Sequence, residues 1–289
     1  MNFRDLLRLL PIERLRNPRP VVAVLRFEGV IGPSQWRSAI SLTSHAAALD
    51  RAFRLSRLAG VALAINSPGG SPVQSALLYR RIRQHAEEKG VPVFAFAEDV
   101  AASGGYWLAL AGDEIWAEEA SLLGSIGVVM SSFGFDRLIA RFGIERRLHT
   151  AGERKALLDP FLPENPADVA RLSLLQHDIH DSFKEHVRRR RAGHIDAADD
   201  SLFSGEVLTG RMALAKGLID GIGDLRSVMR ARFGDRVRLV PVATEKRRRW
   251  WLPRLRPGVE RDMAGPVAGA LGELLCWLEA RALWARFGL

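Results

Sequence analysis

The 289-residue chain has a single cysteine, Cys276. One cysteine excludes an internal disulfide and fits a reducing compartment. No apolar run is long and uninterrupted enough for a membrane span. The first residues hold only a short apolar stretch with no small-residue cleavage site after it, so they do not read as a signal peptide. No internal repeat is visible. Acidic residues are in deficit, 33 against 42 Lys and Arg, for a net charge of +9. The excess is not spread evenly. Residues 1–20 carry five Arg against Asp5 and Glu13, a net of +3, and residues 245–289 carry nine Lys and Arg against five acids, a net of +4. A nucleic-acid enzyme more often spreads its basic face across the fold, so nucleic acid is not an expected partner. Cations gathered at apolar ends point to an anionic membrane surface. The expectation is a cytoplasmic protein, peripheral on the membrane.

What is present is a globular composition, 47% hydrophobic, enough for a sizeable core. Three regions are expected: a basic amphipathic segment at 1–20, a globular domain at 21–245, and a basic, tryptophan-rich tail with an apolar helix at 246–289. In the first, Phe3, Leu6, Leu7 and Leu10 lie at helical spacing among arginines. In the last, Lys246 to Arg249 stand beside Trp250 and Trp251, a pairing suited to a membrane–water interface. Each end could equally pack on its own domain or on a neighbouring subunit.

Between them, strands alternate with helices, which predicts an α/β fold. Strands are expected at 21–27, 61–66, 91–96, 114–118, 125–130 and 144–149. Helices are expected at 46–58, 73–89, 135–142, 165–190 and 212–218, the last as the final core helix. The run Val61 to Ile65 has no polar face, so it reads as buried on both sides. Ser67 to Ser71, with Pro68, Gly69 and Gly70, can only be a turn. The 165–190 helix has Leu172, Leu175, Ile179, Phe183 and Val187 as its core stripe.

One stretch carries the chemistry, Val100-Ala101-Ala102-Ser103-Gly104-Gly105-Tyr106. Ser103 falls at the start of a helical pattern. There free N–H groups favour a developing negative charge, and the glycines allow close backbone approach. Ser103 reads either as a helix N-cap or as a nucleophile with an oxyanion site beside it. A nucleophilic serine needs a base. His149 is the most plausible histidine, but no acid stands in an obvious role beside it. His177, His180 and His186 sit at polar positions flanking the long helix's stripe; a solvated face is the plainer reading than a metal site. Lys155, with apolar residues after it, is the lysine candidate; it serves only if its neutral form is populated. Otherwise it is a surface lysine.

These residues resemble a known family. The turn Asn66-Ser67-Pro68-Gly69-Gly70, the stretch Ala102 to Tyr106, Gly124-Ser125-Ile126-Gly127-Val128, Lys155, and Leu208 to Asp220 occur in the order and spacing of the signal peptide peptidase A (protease IV) family. The resemblance covers roughly residues 21–240. It implies a Clp-protease/crotonase-like spiral of ββα units. It implies Ser103 as nucleophile, Lys155 as general base, Gly70 and Gly104 as oxyanion donors, and Ser125 as the residue orienting the lysine. It implies no cofactor or metal, a peptide substrate such as a cleaved signal peptide, and a homo-oligomeric ring with shared active sites. This sequence departs from the family in having no N-terminal span and a single half where some relatives have two. Two rival readings remain: a crotonase-like acyl-CoA enzyme, which would need an acidic residue near the oxyanion turns, and a non-catalytic membrane-surface scaffold.

Overall fold

The computed structural model describes residues 19–32, 39–152, 155–196, 198–244, 278 and 281–288. The basic segment expected at 1–20 lies outside the described residues, except for Arg19 and Pro20. So does the Lys246–Trp251 run and, except for Leu278, the expected apolar helix of the tail.

The described residues build one eight-stranded sheet. In chain order the elements are β1 (Val21–Glu28), α1 (Leu42–Phe53), β2 (Leu58–Ser67), α2 (Pro72–Lys89), β3 (Val93–Ala102), α3 (Gly104–Ala109), β4 (Glu114–Ala117) and β5 (Leu122–Gly124). They continue as α4 (Asp136–Arg141), α5 (Pro166–Arg190), β6 (Val207–Thr209), α6 (Gly210–Ala215), β7 (Gly221–Ile222), α7 (Leu225–Phe233) and β8 (Arg238–Pro241). The strand order is β6-β5-β3-β2-β1-β8, parallel except for the β5–β6 pair. The α/β class expected from the alternation is the one observed.

β2 is central, flanked by β1 and β3. Val61, Leu63 and Ile65 face one core, with α1, α2 and α3. Ala62 faces the other, with Phe94, Phe96 and Met229 of α7. Both faces are therefore covered, which is why the run has no polar face. Each such aliphatic side chain contributes about 1.5–3 kcal/mol by leaving water.

β3 changes partner along its length. Phe94–Ala97 pair with β4, and Val100–Ala102 pair with β5. The change occurs at an irregularity, where the β2 partner of Ala97 is Ile65 and that of Ala101 is Ser67. Asn66 bridges the gap: its Nδ2 donates to Asp99 Oδ2 at 2.8 Å, and its Oδ1 accepts from the Val100 N–H at 3.2 Å. The first half of β3 is thereby anchored in the main sheet, and the second half is aimed at the β5 turn.

Several expected elements are corrected. α1 begins four residues early, because Ser41 and Ser44 form a reciprocal capping box, and it ends at Phe53. Residues 125–130 are not a strand; the strand is the three residues before them, fixed by pairing to β3. Residues 144–149 find no strand partner and are irregular. On α5 only Phe183, His186 and Val187 are buried, and Leu175 is 40% exposed. α6 is not the last core helix, since α7 follows and covers the second face of the sheet.

Candidate active site

β3 hands over to α3 at Ser103, whose φ is +52° and ψ −120°. A β-carbon-bearing residue is strained there, and such strain gathers at functional positions. The turn is held from both sides. The Ser103 N–H donates to Gly124 O at 2.8 Å, and Ser103 O accepts from the Trp107 N–H at 3.0 Å. The side chain makes no cap bond to α3. That removes the plain N-cap reading, and the hydroxyl has no hydrogen-bond partner among the described residues. The rest of α3 is entirely buried. Arg190 and Arg83 hold its carbonyl end, Arg190 donating to Leu110 O and Gly112 O and Arg83 to Ala111 O.

The Gly69–Gly70 turn after β2 passes directly over this serine. A β-carbon on Gly69 would stand 2.8 Å from both Ser103 Cβ and the Gly104 nitrogen. One on Gly70, where φ is +137°, would stand 2.0 Å from Ile31 O. One on Gly104 would lie 2.6 Å from Ser75 Oγ and 3.3 Å from the Gly70 nitrogen. The chain can pass this close only without side chains. Ile31 fixes the turn, donating to Gly69 O and accepting from the Ser71 N–H, both at 2.8 Å. The N–H groups of Gly70 and Gly104 have no acceptor among the described residues. Two unpaired donors beside a spare hydroxyl are what a tetrahedral oxyanion requires.

Ser125 comes to the same place because Ala102 pairs with Gly124. Its φ is +49°, and its N–H donates to Glu206 O at 2.7 Å. Gly70, Ser103 and Ser125 line one groove of about 710 Å³. Val129, Met130 and Ile179 give it apolar walls, and it is bordered by Leu283, in the segment helical at 281–285, and by Arg286 in the turn after it. No carboxylate lines it among the described residues, against what the acyl-CoA reading needs.

The geometry brings together Gly70, Ser103, Gly104 and Ser125 and leaves Lys155 apart. Lys155 is exposed, in a turn at 155–158, and does not line the groove. It belongs to a stretch, 128–164, whose described residues lie largely on the surface, with Phe133 78% and Phe142 71% exposed. His149 is exposed on the same stretch and also outside the groove. A different pairing of serine and lysine exists, Lys216 Nζ with Ser201 Oγ at 2.8 Å, but Asp199 is bonded to the same amine at 3.1 Å. An ion-paired ammonium is no base.

The histidines of α5 separate. His177 Nδ1 donates to its own helix at Ser173 O. His180 lines the groove, and its Nε2 donates to Ile126 O at 3.1 Å. His186 is not on a solvated face: it is 3% exposed, stacked on Trp107 and edge-on to Tyr79. Burial, reinforced by Arg189, Arg190 and Arg80, pushes its pKa down to about 3. No cluster of three His, Cys, Asp or Glu that could hold a metal occurs among the described residues. The last stretch quoted for the resemblance is structural. Asp220 accepts from buried Arg191 at 2.8 Å and from the Ile115 N–H at 2.7 Å, and the buried Tyr106 hydroxyl donates to Leu218 O at 2.7 Å. The sequence gives no sign that His180 reaches the groove, since its spacing on the helix is that of any surface histidine; only the fold brings Ile126 to it.

A serine on a strained strand-to-helix turn, beside two glycine N–H groups with no acceptor among the described residues and carried by a largely parallel α/β sheet, is the arrangement of a Clp-protease-like fold. Residues 85–233, just over half of the chain, match the model of Peptidase family S49, and the chain belongs to that family. It is 48% identical, over 98% of its own length and 39% of the relative's, to a Brucella abortus protein named Na(+)/H(+) antiporter NhaA. It is 34% identical to the chloroplastic serine protease SPPA of Arabidopsis thaliana, over 73% of this chain and 32% of that one. It is 30% identical to Protease 4 of Haemophilus influenzae, over 79% and 37%. The chain thus spans two fifths or less of the length of these relatives. The antiporter name stays with the Brucella protein; no described helix here is long and apolar enough to cross a membrane. Among solved structures, the 1510-N membrane-bound stomatin-specific protease, as a lysine-to-alanine mutant with a substrate peptide, aligns with a TM-score of 0.50 at 15% identity. The alignment covers 78% of this chain and 94% of that one.

Proposed function

We propose that the chain hydrolyses peptide bonds with Ser103 as nucleophile and Lys155 as general base. The observation that carries this is the uncapped Ser103 on its strained turn, packed against the Gly69–Gly70 turn, where the N–H groups of Gly70 and Gly104 have no acceptor among the described residues. The serine oxygen attacks the scissile carbonyl while its proton passes to the neutral amine of Lys155. The two N–H groups take the oxyanion. As the carbonyl re-forms, the leaving amine departs with the proton returned by the lysine. Water then repeats the sequence on the acyl-enzyme and frees the acid. Ser125 accepts a hydrogen bond from the amine and gives it direction.

Lys155 is exposed and does not line the groove, which supports a base supplied by a neighbouring subunit. The exposed apolar residues of 128–164 support an arm that docks on a second copy. The apolar groove walls support hydrophobic peptides, cleaved signal peptides among them, as substrates. The basic ends at 1–20 and 246–289 would hold the assembly on an anionic membrane surface.

The deciding experiment is hydrolysis of casein and of a hydrophobic peptide by wild type, Ser103→Ala and Lys155→Ala. Both variants are expected to fold normally and lose activity by a similar factor, since nucleophile and base act as a unit. Near-wild-type turnover by Lys155→Ala would remove the lysine from the mechanism.

A further inference from the structure

We infer that His180 is a positioning residue that holds the Ser125 turn in register with Ser103, a role that rests on the peptidase reading above. The turn needs an external hold. Gly124 and Ser125 both have positive φ, +86° and +49°, and only one of the two is a glycine. The turn is tied at its start by the Ser125 N–H to Glu206 O and internally by the Gly127 N–H to Ser125 O at 2.9 Å. The Ile126 carbonyl is the next polar group, and Ile126 is fully buried. Left unpaired there, a carbonyl costs free energy and its peptide plane is free to rotate.

His180 supplies the partner. It lies one turn before Phe183 on α5, the first residue of that helix to be buried in the sheet core. Its Nε2 is 3.1 Å from Ile126 O, and a carbonyl can only accept, so Nε2 carries the hydrogen. The bond crosses 54 residues of sequence and links the long helix to the peptide next to Ser125. Rotation of that peptide would swing both the Ser125 side chain and the floor of the groove at Gly127. His180 acts through the turn and needs no contact with the reacting atoms.

The side chain's reach gives a sharp test. Glutamine places an amide N–H near the position of Nε2, whereas asparagine places one near Nδ1. His180→Gln is expected to keep kcat within about twofold of wild type, and His180→Asn and His180→Ala to lose about tenfold. In parallel, amide hydrogen exchange at Ser125 and Gly127 is measured by mass spectrometry on the Ser103→Ala background. Exchange there is expected to quicken with His180→Ala and His180→Asn and to return to the parent rate with His180→Gln. Unchanged exchange with His180→Ala overturns the inference. So does a loss of a thousandfold or more shared by His180→Gln and His180→Ala, which would make the imidazole a base. If wild type hydrolyses no peptide, the peptidase reading fails by itself, and the exchange comparison still decides whether His180 holds the turn.

Discussion

At the scale of single residues, the site is made as much by missing side chains as by present ones. Gly70 has no room for a β-carbon, which would meet Ile31 O at 2.0 Å, and its φ is +137°. Gly70→Ala must therefore displace the turn that carries one of the two free N–H groups. A loss of about 3 kcal/mol in stability is expected from strain and backbone clash together. Urea denaturation measures it, and peptide hydrolysis should fall with it. Ser103 shows why the sequence could not choose between two readings. Ala-Ala-Ser-Gly-Gly is what an N-cap and a nucleophile turn both look like, because each needs a small polar residue before a helix. What separates them is the missing bond from the hydroxyl to α3, at a turn with φ +52° whose N–H is held by Gly124 O, 21 residues further along the chain.

At the scale of elements, legibility followed local chemistry. β2 was readable because both its faces are covered, and α2 because Ser71 caps its start and Gly90, at φ +62°, closes its end. β5, β6 and β7 have three, three and two residues, too few to show any period; their pairing partners alone define them. The five-residue stripe read on α5 was too long, because the helix meets the core only over its last turns. There it brings His186, read from sequence as polar surface, into an aromatic pocket. Its burial makes a prediction about acid. Unfolded, the imidazole titrates near the ordinary value of about 6.5, and folded at about 3. Between those values the unfolded chain takes up the proton and the folded chain does not. Stability is therefore unaffected by His186 above about pH 6.5 and falls as the pH drops below it, by up to about 1.4 kcal/mol per pH unit. His186→Phe should flatten that decline when urea midpoints are compared at pH 7.5 and 5. Part of the slope should remain, since burial also lowers the pKa of His45.

At the scale of the whole molecule, the serine and the lysine that the sequence pairs lie in different parts of the chain, one in a groove on the sheet and one on an exposed arm. The sequence brought both to notice and the resemblance implied shared sites, but no spacing in the chain says which copy's lysine would serve which serine. Co-refolding tests it. Ser103→Ala and Lys155→Ala subunits, mixed one to one and assembled at random, should regain about a quarter of wild-type sites in a closed ring. Mixtures that co-assemble and stay inactive would place both residues in the same chain.

A Lys155 supplied by a neighbouring subunit, as proposed, also sets how activity should behave as the protein concentration falls. A site completed by a neighbour exists only while the neighbour is bound, so turnover per milligram becomes a property of the solution and not of the chain. On serial dilution the specific activity should hold a plateau and then decline, with the initial rate rising more steeply than first order in protein. Adding the inactive Ser103→Ala chain to a dilute wild-type sample should restore part of the rate, because a chain with no nucleophile of its own still brings a lysine.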